Sequence, residues 1–416
     1  MIKKLFLPLF VTVAIVFAAC NGEQKPAKHY CETTQELIDM VEADPQLKAM
    51  LEKSIARAAE INPDTVTNPV RTLEQYYDFI EYAMTAMPWS ITKCPESWSI
   101  FDQIDQSLNY FYFINDIPLE ELEGKGLYNN SLQYYGKYRE WLIRYAKDWG
   151  EYLSTPDSWN DEMTALIMSQ PQFGLQNGWY EDPSNWHSFN DFFCRNLKDS
   201  AARPVASPDD DALVISPADS EPQGKWAVDE NSDIVQHDSV VIKSKAFNSV
   251  ADLIGPESEY REAFAGGTLI HQFLNVHDYH RYHFPMSGKI VEMKTIAQDD
   301  AVGGVVTWHP ESGRYLLSCD VPGWQMIETR TCLILETEKF GLVALLPIGM
   351  SQVSSVNYEP DLKVGDVVKK GDPLGYFLFG GSDFAIVFQK GVEVEMINPP
   401  FQHMLFGEPM ARLSRK

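Results

Sequence analysis

Aromatic and aliphatic side chains recur every three or four residues at Tyr134, Tyr138, Trp141, Leu142, Tyr145 and Trp149, a pattern that predicts an amphipathic helix turning an aromatic face into a core. Farther upstream, Thr34 followed by Glu36 and Leu37 predicts a helix start. Asp44-Pro45 predicts a break and a second start, with proline at an early helical position where its missing N–H costs nothing. Residues 33–175 therefore read as a helical accessory domain with no chemistry of its own. Within and just beyond it, Ser154–Trp186 is rich in Pro, Asn, Asp and Gly and reads as a bridge between domains. Past Val205 the texture changes to short apolar runs cut by Gly, Pro and Asp, such as GTLIHQFLNV, GKIVEMKTI, RTCLILETEKFGLVALLPI and GYFLFGGSDFAIVFQ. The pairs Gly365-Asp366 and Gly371-Asp372 mark tight turns between strands. No βαβ rhythm and no long repeat is present. The expected class is α+β: a helical N-terminal domain followed by a mostly antiparallel, β-rich catalytic domain with short helices over residues 186–416.

The first nineteen residues stand apart from this pattern. Lys3 and Lys4 precede an uncharged apolar run, Leu5–Ala19, which is short for a membrane span and suits a signal peptide. The run ends FAAC and resembles a bacterial lipoprotein signal, which implies cleavage before Cys20 and acylation of its thiol. Residues 21–32 would form a tether, and the mature body would be held to a membrane outside the cytoplasm.

Composition narrows the partners. A formal charge of −25 argues against a nucleic-acid surface and against a broad electrostatic grip on anionic lipid. After Cys20, five cysteines remain at wide, irregular spacings with no CxxC motif, so they read as structural.

Three features carry candidate chemistry. Four of the nine histidines, His271, His277, His280 and His283, fall within thirteen residues around DYHRYH. Imidazole at such density suits acid/base work; no metal is expected, because no HExxH pattern or downstream Cys/His pair completes a ligand set. In ISPADS, Asp219 follows a Ser-Pro turn at a strand end, where it could orient a histidine. In Gly380-Gly381-Ser382 the glycines open the Gly381 carbonyl to attack, and the serine hydroxyl can swing back onto it. An N→O acyl shift, β-elimination and hydrolysis would then convert Ser382 into a pyruvoyl group, with release of ammonia.

SPAD, DYHRYHFP and the late GGS resemble, in this order, the motifs of phosphatidylserine decarboxylases. Phe189, Phe192-Phe193, Arg195, Leu197-Lys198 and Arg203-Pro204 resemble the family's FF-x-R-x-LK…RP segment, and LVALLPIGMSQVSSV resembles another of its strands. The resemblance spans about residues 186–410. It implies that Asp219 orients His283, that His283 is the base for self-cleavage between Gly381 and Ser382, and that His280 is the acid/base of decarboxylation. It also implies a pyruvoyl cofactor made from Ser382, with the cleaved chains remaining associated. The chain departs from the pattern in FGGSDF, in Ser220 after SPAD, and in ETRTCLIL, where Arg330 is kept. The helical extension and GGS site resemble the soluble branch that includes fungal tryptophan decarboxylases.

The expected reaction is loss of CO2 from an α-amino acid group, with the pyruvoyl carbonyl binding the amine and taking up electrons. Phosphatidylserine is the favoured substrate and a free aromatic amino acid the alternative. A reading from another class is a non-catalytic β-rich carrier or binding lipoprotein, suggested by Met293-Lys294. A serine hydrolase would need a G-x-S-x-G elbow, which is absent from the sequence.

Overall fold

In the N-terminal part, local sequence signals set helix boundaries and burial sets helix packing. In the computed structural model, which describes residues 28–125, 130–235, 249–297, 305–318, 328–350 and 355–415, the first two helices are Glu32–Ala43 and Pro45–Ile61. Asp44 joins them and caps the second, accepting from the backbone N–H groups of Gln46 and Leu47. The first helix starts two residues before Thr34, because the carboxylate of Glu81, rather than a local hydroxyl, holds the Cys31 N–H. Helices Leu73–Ala83, Ile100–Asn115 and Gly136–Tyr152 follow. The aromatic stripe from Tyr138 on lies on the last of these, and Tyr138, Trp141, Tyr145 and Trp149 are all buried, whereas Tyr134 falls in a separate short turn, Leu132–Tyr134, ahead of the helix. Residues 154–186 carry the short helix Asp161–Met168, and they send Trp159, Ile167, Phe173 and Trp186 into the same core.

The β-rich part is built on an eight-stranded sheet. In spatial order its strands are Val367–Val368, Gly288–Ile296, Arg330–Thr337, Gly341–Met350, Gly381–Phe388, Thr268–Leu274, Glu221–Val228 and Ile234–Val235, and every pairing is antiparallel. The period of two along Gly381–Phe388 separates two cores. Phe384, Ile386 and Phe388 pack on one face with Tyr282, Phe284 and Leu374, while Ala385 and Val387 pack on the other with Val250, Leu253 and Phe264. A three-stranded sheet of Val356–Tyr358, Pro373–Phe377 and Arg281–His283 lies on the first side. Met293 and Lys294 fall inside the strand Gly288–Ile296, and Lys294 is paired with Glu292; a biotinyl-type lysine would need an exposed hairpin tip.

The two parts interlock through side chains. The hairpin Val305–His309/Arg314–Ser318 packs on the helix Ile100–Asn115, with Tyr315 ringed by Tyr110, Phe113 and Trp308. Gln106 exchanges hydrogen bonds with the Tyr315 backbone through both its amide nitrogen and its oxygen. Among the described residues no helix is long and apolar enough to cross a membrane. Cys31, Cys94, Cys194 and Cys332 are free thiols. The signal segment, Cys20 and Cys319 lie outside the described residues.

Candidate active site

Ser382 sits at the start of a strand that is hydrogen-bonded on both edges, opposite Gly349 on one neighbour and Leu274 on the other. It is fully buried and shares a face with Phe384, against which the Tyr282 ring of the histidine block packs at 5.8 Å. Its hydroxyl lies 3.5 Å from the carbonyl oxygen of Gly380, a long contact that leaves it free to turn toward the Gly381 carbonyl. Gly380 has φ 145°, in the region that favours glycine.

The residue before these glycines is held jointly by the helical part and by the short helix Phe189–Phe193. Phe379 is buried between Trp149, Phe189 and Phe193, with ring centroids 5.1–5.3 Å away. Its N–H donates to the side-chain oxygen of Asn190, whose amide nitrogen in turn donates to Gly150 O and Ser154 Oγ. The short helix Phe189–Phe193, anchored on Gly150 and Ser154 of the helical region, thus fixes the segment that leads into the candidate cleavage site. Phe379→Ala is expected to cost about 3–5 kcal/mol of stability, as for other buried phenylalanines. It should also slow cleavage of the precursor, followed by denaturant unfolding and by a gel time course; Phe379→Leu should retain most of both.

The two candidate histidines are both neutral, each with an identifiable tautomer. His280 Nδ1 faces the Asp278 carbonyl at 3.0 Å, so it carries the proton, and the bare Nε2 is buried without a hydrogen-bond partner. Phe193 stacks on this ring at 3.8 Å, and the His280 carbonyl accepts from Phe377 N–H on the strand that leads toward Phe379. Burial, and then the positive charge of Arg195, hold His280 well below the usual imidazole range. His283 Nδ1 donates to Gly371 O at 3.0 Å, leaving Nε2 to accept from the Tyr279 hydroxyl at 3.2 Å. Gly371 presents that carbonyl at φ +88°, where a Cβ would lie 2.4 Å from Val205 Cγ2. Burial pushes His283 down to about 3.

Asp219 is buried and faces Arg203, which binds both carboxylate oxygens at 3.0 Å. Oδ1 also accepts the Phe406 N–H at 2.7 Å, and the Phe406 ring stacks on His283 at 3.7 Å. Burial pushes the Asp219 carboxyl up, against the pull of Arg203. Phe406 is therefore the link between Asp219 and His283. Among the described residues, no hydrogen bond joins Asp219 to His283 or either of them to Ser382.

Four further groups complete the neighbourhood. Asp383, on the opposite face of the strand from Ser382, is buried against His271 Nε2 at 2.5 Å, and burial pushes its carboxyl up. Arg195 lies over the Tyr180 ring at 4.4 Å, and Arg203 over Trp179 at 3.8 Å. His403, remote in sequence, donates to Asp278 Oδ1 at 2.7 Å. Sequence spacing signals none of these pairings, although Arg195, Arg203 and Asp383 each fall within a quoted motif.

Comparison with known proteins places this constellation. The family model described as phosphatidylserine decarboxylase matches residues 189–412, more than half of the chain and all four candidate catalytic residues. The chain belongs to the phosphatidylserine decarboxylase family. It is 30% identical over 281 residues to the phosphatidylserine decarboxylase proenzyme of Fusobacterium nucleatum, covering 66% of this chain and 85% of that protein. To phosphatidylserine decarboxylase proenzyme 2 of Oryza sativa it is 32% identical over 255 residues, covering 61% of this chain and 37% of the rice protein. Decarboxylase iboD of Amanita muscaria is 29% identical over 266 residues, covering 58% of this chain and 73% of the fungal one. Membership makes the chain one of a family of carboxy-lyases and accords with the order of SPAD, DYHRYH and GGS in the sequence.

Proposed function

We propose that this member of the family is a self-processing, pyruvoyl-dependent decarboxylase that cuts itself between Gly381 and Ser382. The observation that carries the reading is Ser382 itself: a buried hydroxyl after two glycines, at the start of a central strand whose run-in is clamped at Phe379. Its Oγ attacks the Gly381 carbonyl carbon, and the peptide bond becomes an ester. Loss of the Ser382 α-proton expels the Gly381 carboxylate, and hydrolysis of the resulting dehydroalanine releases ammonia. His283 is the proposed base, with Asp219 acting on it through Phe406 in the precursor arrangement.

The residues fit a pyruvoyl group, since a buried, glycine-flanked site admits a small planar ketone and shields it from water. Such a group supplies an electrophilic carbonyl that condenses with a primary amine and draws off the electron pair left by departing CO2. His280, neutral with Nε2 bare, takes a proton from the substrate's ammonium group and returns it to the α-carbon after CO2 leaves, a contribution of about 10²–10⁴-fold. The small chain, residues 382–416, stays associated because its first strand remains paired on both edges, with Gly341–Met350 and with Thr268–Leu274.

The favoured substrate is phosphatidylserine, in keeping with the names of the bacterial and plant relatives, and a lipid anchor at Cys20 would hold the body beside a bilayer. Similarity to a fungal protein named only as a decarboxylase keeps a free aromatic amino acid as the second reading. The deciding experiment expresses the protein from residue 21 and measures masses under denaturing conditions. Two chains are expected, the smaller blocked to Edman sequencing, and a single intact chain overturns the reading. CO2 release from phosphatidylserine vesicles, compared with tryptophan, tyrosine and phenylalanine, then decides the substrate.

Acidity provides a second check. A base held at about 3 stays neutral throughout the physiological range, so the cleavage rate should be flat from pH 8 to pH 5. An imidazole at the ordinary value of ~6.5 would lose about thirtyfold over the same span.

A further inference from the structure

Asp278 carries a buried carboxylate, 3% exposed at the side chain, with no Lys or Arg against it among the described residues. A buried carboxylate needs a compensating cation. Its partners are two histidines: His403 Nε2 lies 2.7 Å and His277 Nε2 3.7 Å from the same oxygen, Oδ1. The three ligand atoms lie within 4.8 Å of one another. From these positions we propose that His277, Asp278 and His403 form a binding site for a divalent transition-metal ion of the zinc class.

The donor set supports that class. Two imidazoles and one carboxylate suit Zn2+ and its first-row neighbours, whereas Ca2+ and Mg2+ take oxygen ligands. With metal–ligand bonds of about 2.0–2.1 Å, tetrahedral donor–donor separations are about 3.3 Å. The His403–Asp278 pair must open slightly and the His277–Asp278 pair close slightly to admit an ion. His403 stands on an exposed loop and can make that adjustment, while Asp278 is held by the Asn275 N–H on its other oxygen. Asp219 and Glu221 add negative potential at His403, and Arg195 opposes it at His277. Three protein ligands leave a coordination position open to water or to an anionic group. The Asp278 carbonyl also holds His280 Nδ1, so an ion on Asp278 would stiffen the loop that presents His280.

Zinc titration by calorimetry on tag-free protein tests the site, using wild type and the Ser382→Ala variant in parallel so that the readout does not depend on processing. One equivalent per chain is expected in both. His403→Ala, a substitution on an exposed loop, should weaken binding by about 100-fold, as loss of one of three ligands should exceed the usual cost of losing an outer-shell partner. Asp278→Asn should do the same, while His309→Ala, at an exposed histidine on the hairpin Val305–His309/Arg314–Ser318, should leave binding unchanged. Absence of stoichiometric zinc binding would show that His403 and Asp278 form only an ion pair, and binding that survives His403→Ala would place the metal elsewhere. Either result overturns the proposal.

Discussion

Ser382→Ala should leave one uncut chain and reduce decarboxylation to the uncatalysed background, a loss of at least about 10⁶-fold on the usual scale of enzymatic acceleration. Its value lies in how little else it should change. The hydroxyl makes one long contact, 3.5 Å to Gly380 O, and the strand pairs through its backbone on both edges. Removing it should alter stability by no more than about 1 kcal/mol. Mass spectrometry reads the uncut chain and denaturant unfolding reads the intact fold. An Ser382→Ala protein that still splits at residue 381, or a fully active uncut one, would remove the pyruvoyl reading altogether.

Arg203→Ala should be among the most destabilising single changes near the site. Arg203 and Asp219 have side chains 4% and 5% exposed, so truncating the guanidinium strands a buried carboxylate. Breaking a buried pair in this way costs about 3–5 kcal/mol. Arg203→Lys restores the charge without the two-pronged contact and should recover only part of that loss. The double variant Arg203→Met with Asp219→Leu separates stability from chemistry. With both charges replaced by apolar groups, stability should return to within about 1–2 kcal/mol of the parent. If Asp219 acts in self-cleavage, the double variant folds yet stays uncut; recovery of both properties would reduce Asp219 to a structural role.

The sequence alone determined features that depend on neighbours three or four residues apart, or on strict alternation. The aromatic stripe from Tyr138 to Trp149 was legible because helical periodicity writes a buried face into the chain, and Asp44-Pro45 because capping is local. The change to short apolar runs past Val205 announced the antiparallel sheet. The motifs around Asp219, His280, His283 and Ser382 were legible only through resemblance, since each alone is an ordinary turn or cluster.

Tertiary structure decided how those residues are wired. Arg203 rather than a histidine meets the Asp219 carboxylate, and Phe406 bridges from Asp219 to the His283 ring. Gly371 and Tyr279 set the tautomer of His283. His403 reaches Asp278 across 125 residues, a pairing that no local spacing could announce. Trp149 of the helical part joins Asn190, Phe189 and Phe193 of the motif segment in holding Phe379 next to the proposed cleavage site. These contacts join segments far apart in the chain, and burial and hydrogen-bond satisfaction in three dimensions select them. Periodicity records which face of an element is buried; it does not record which distant side chain will lie against it.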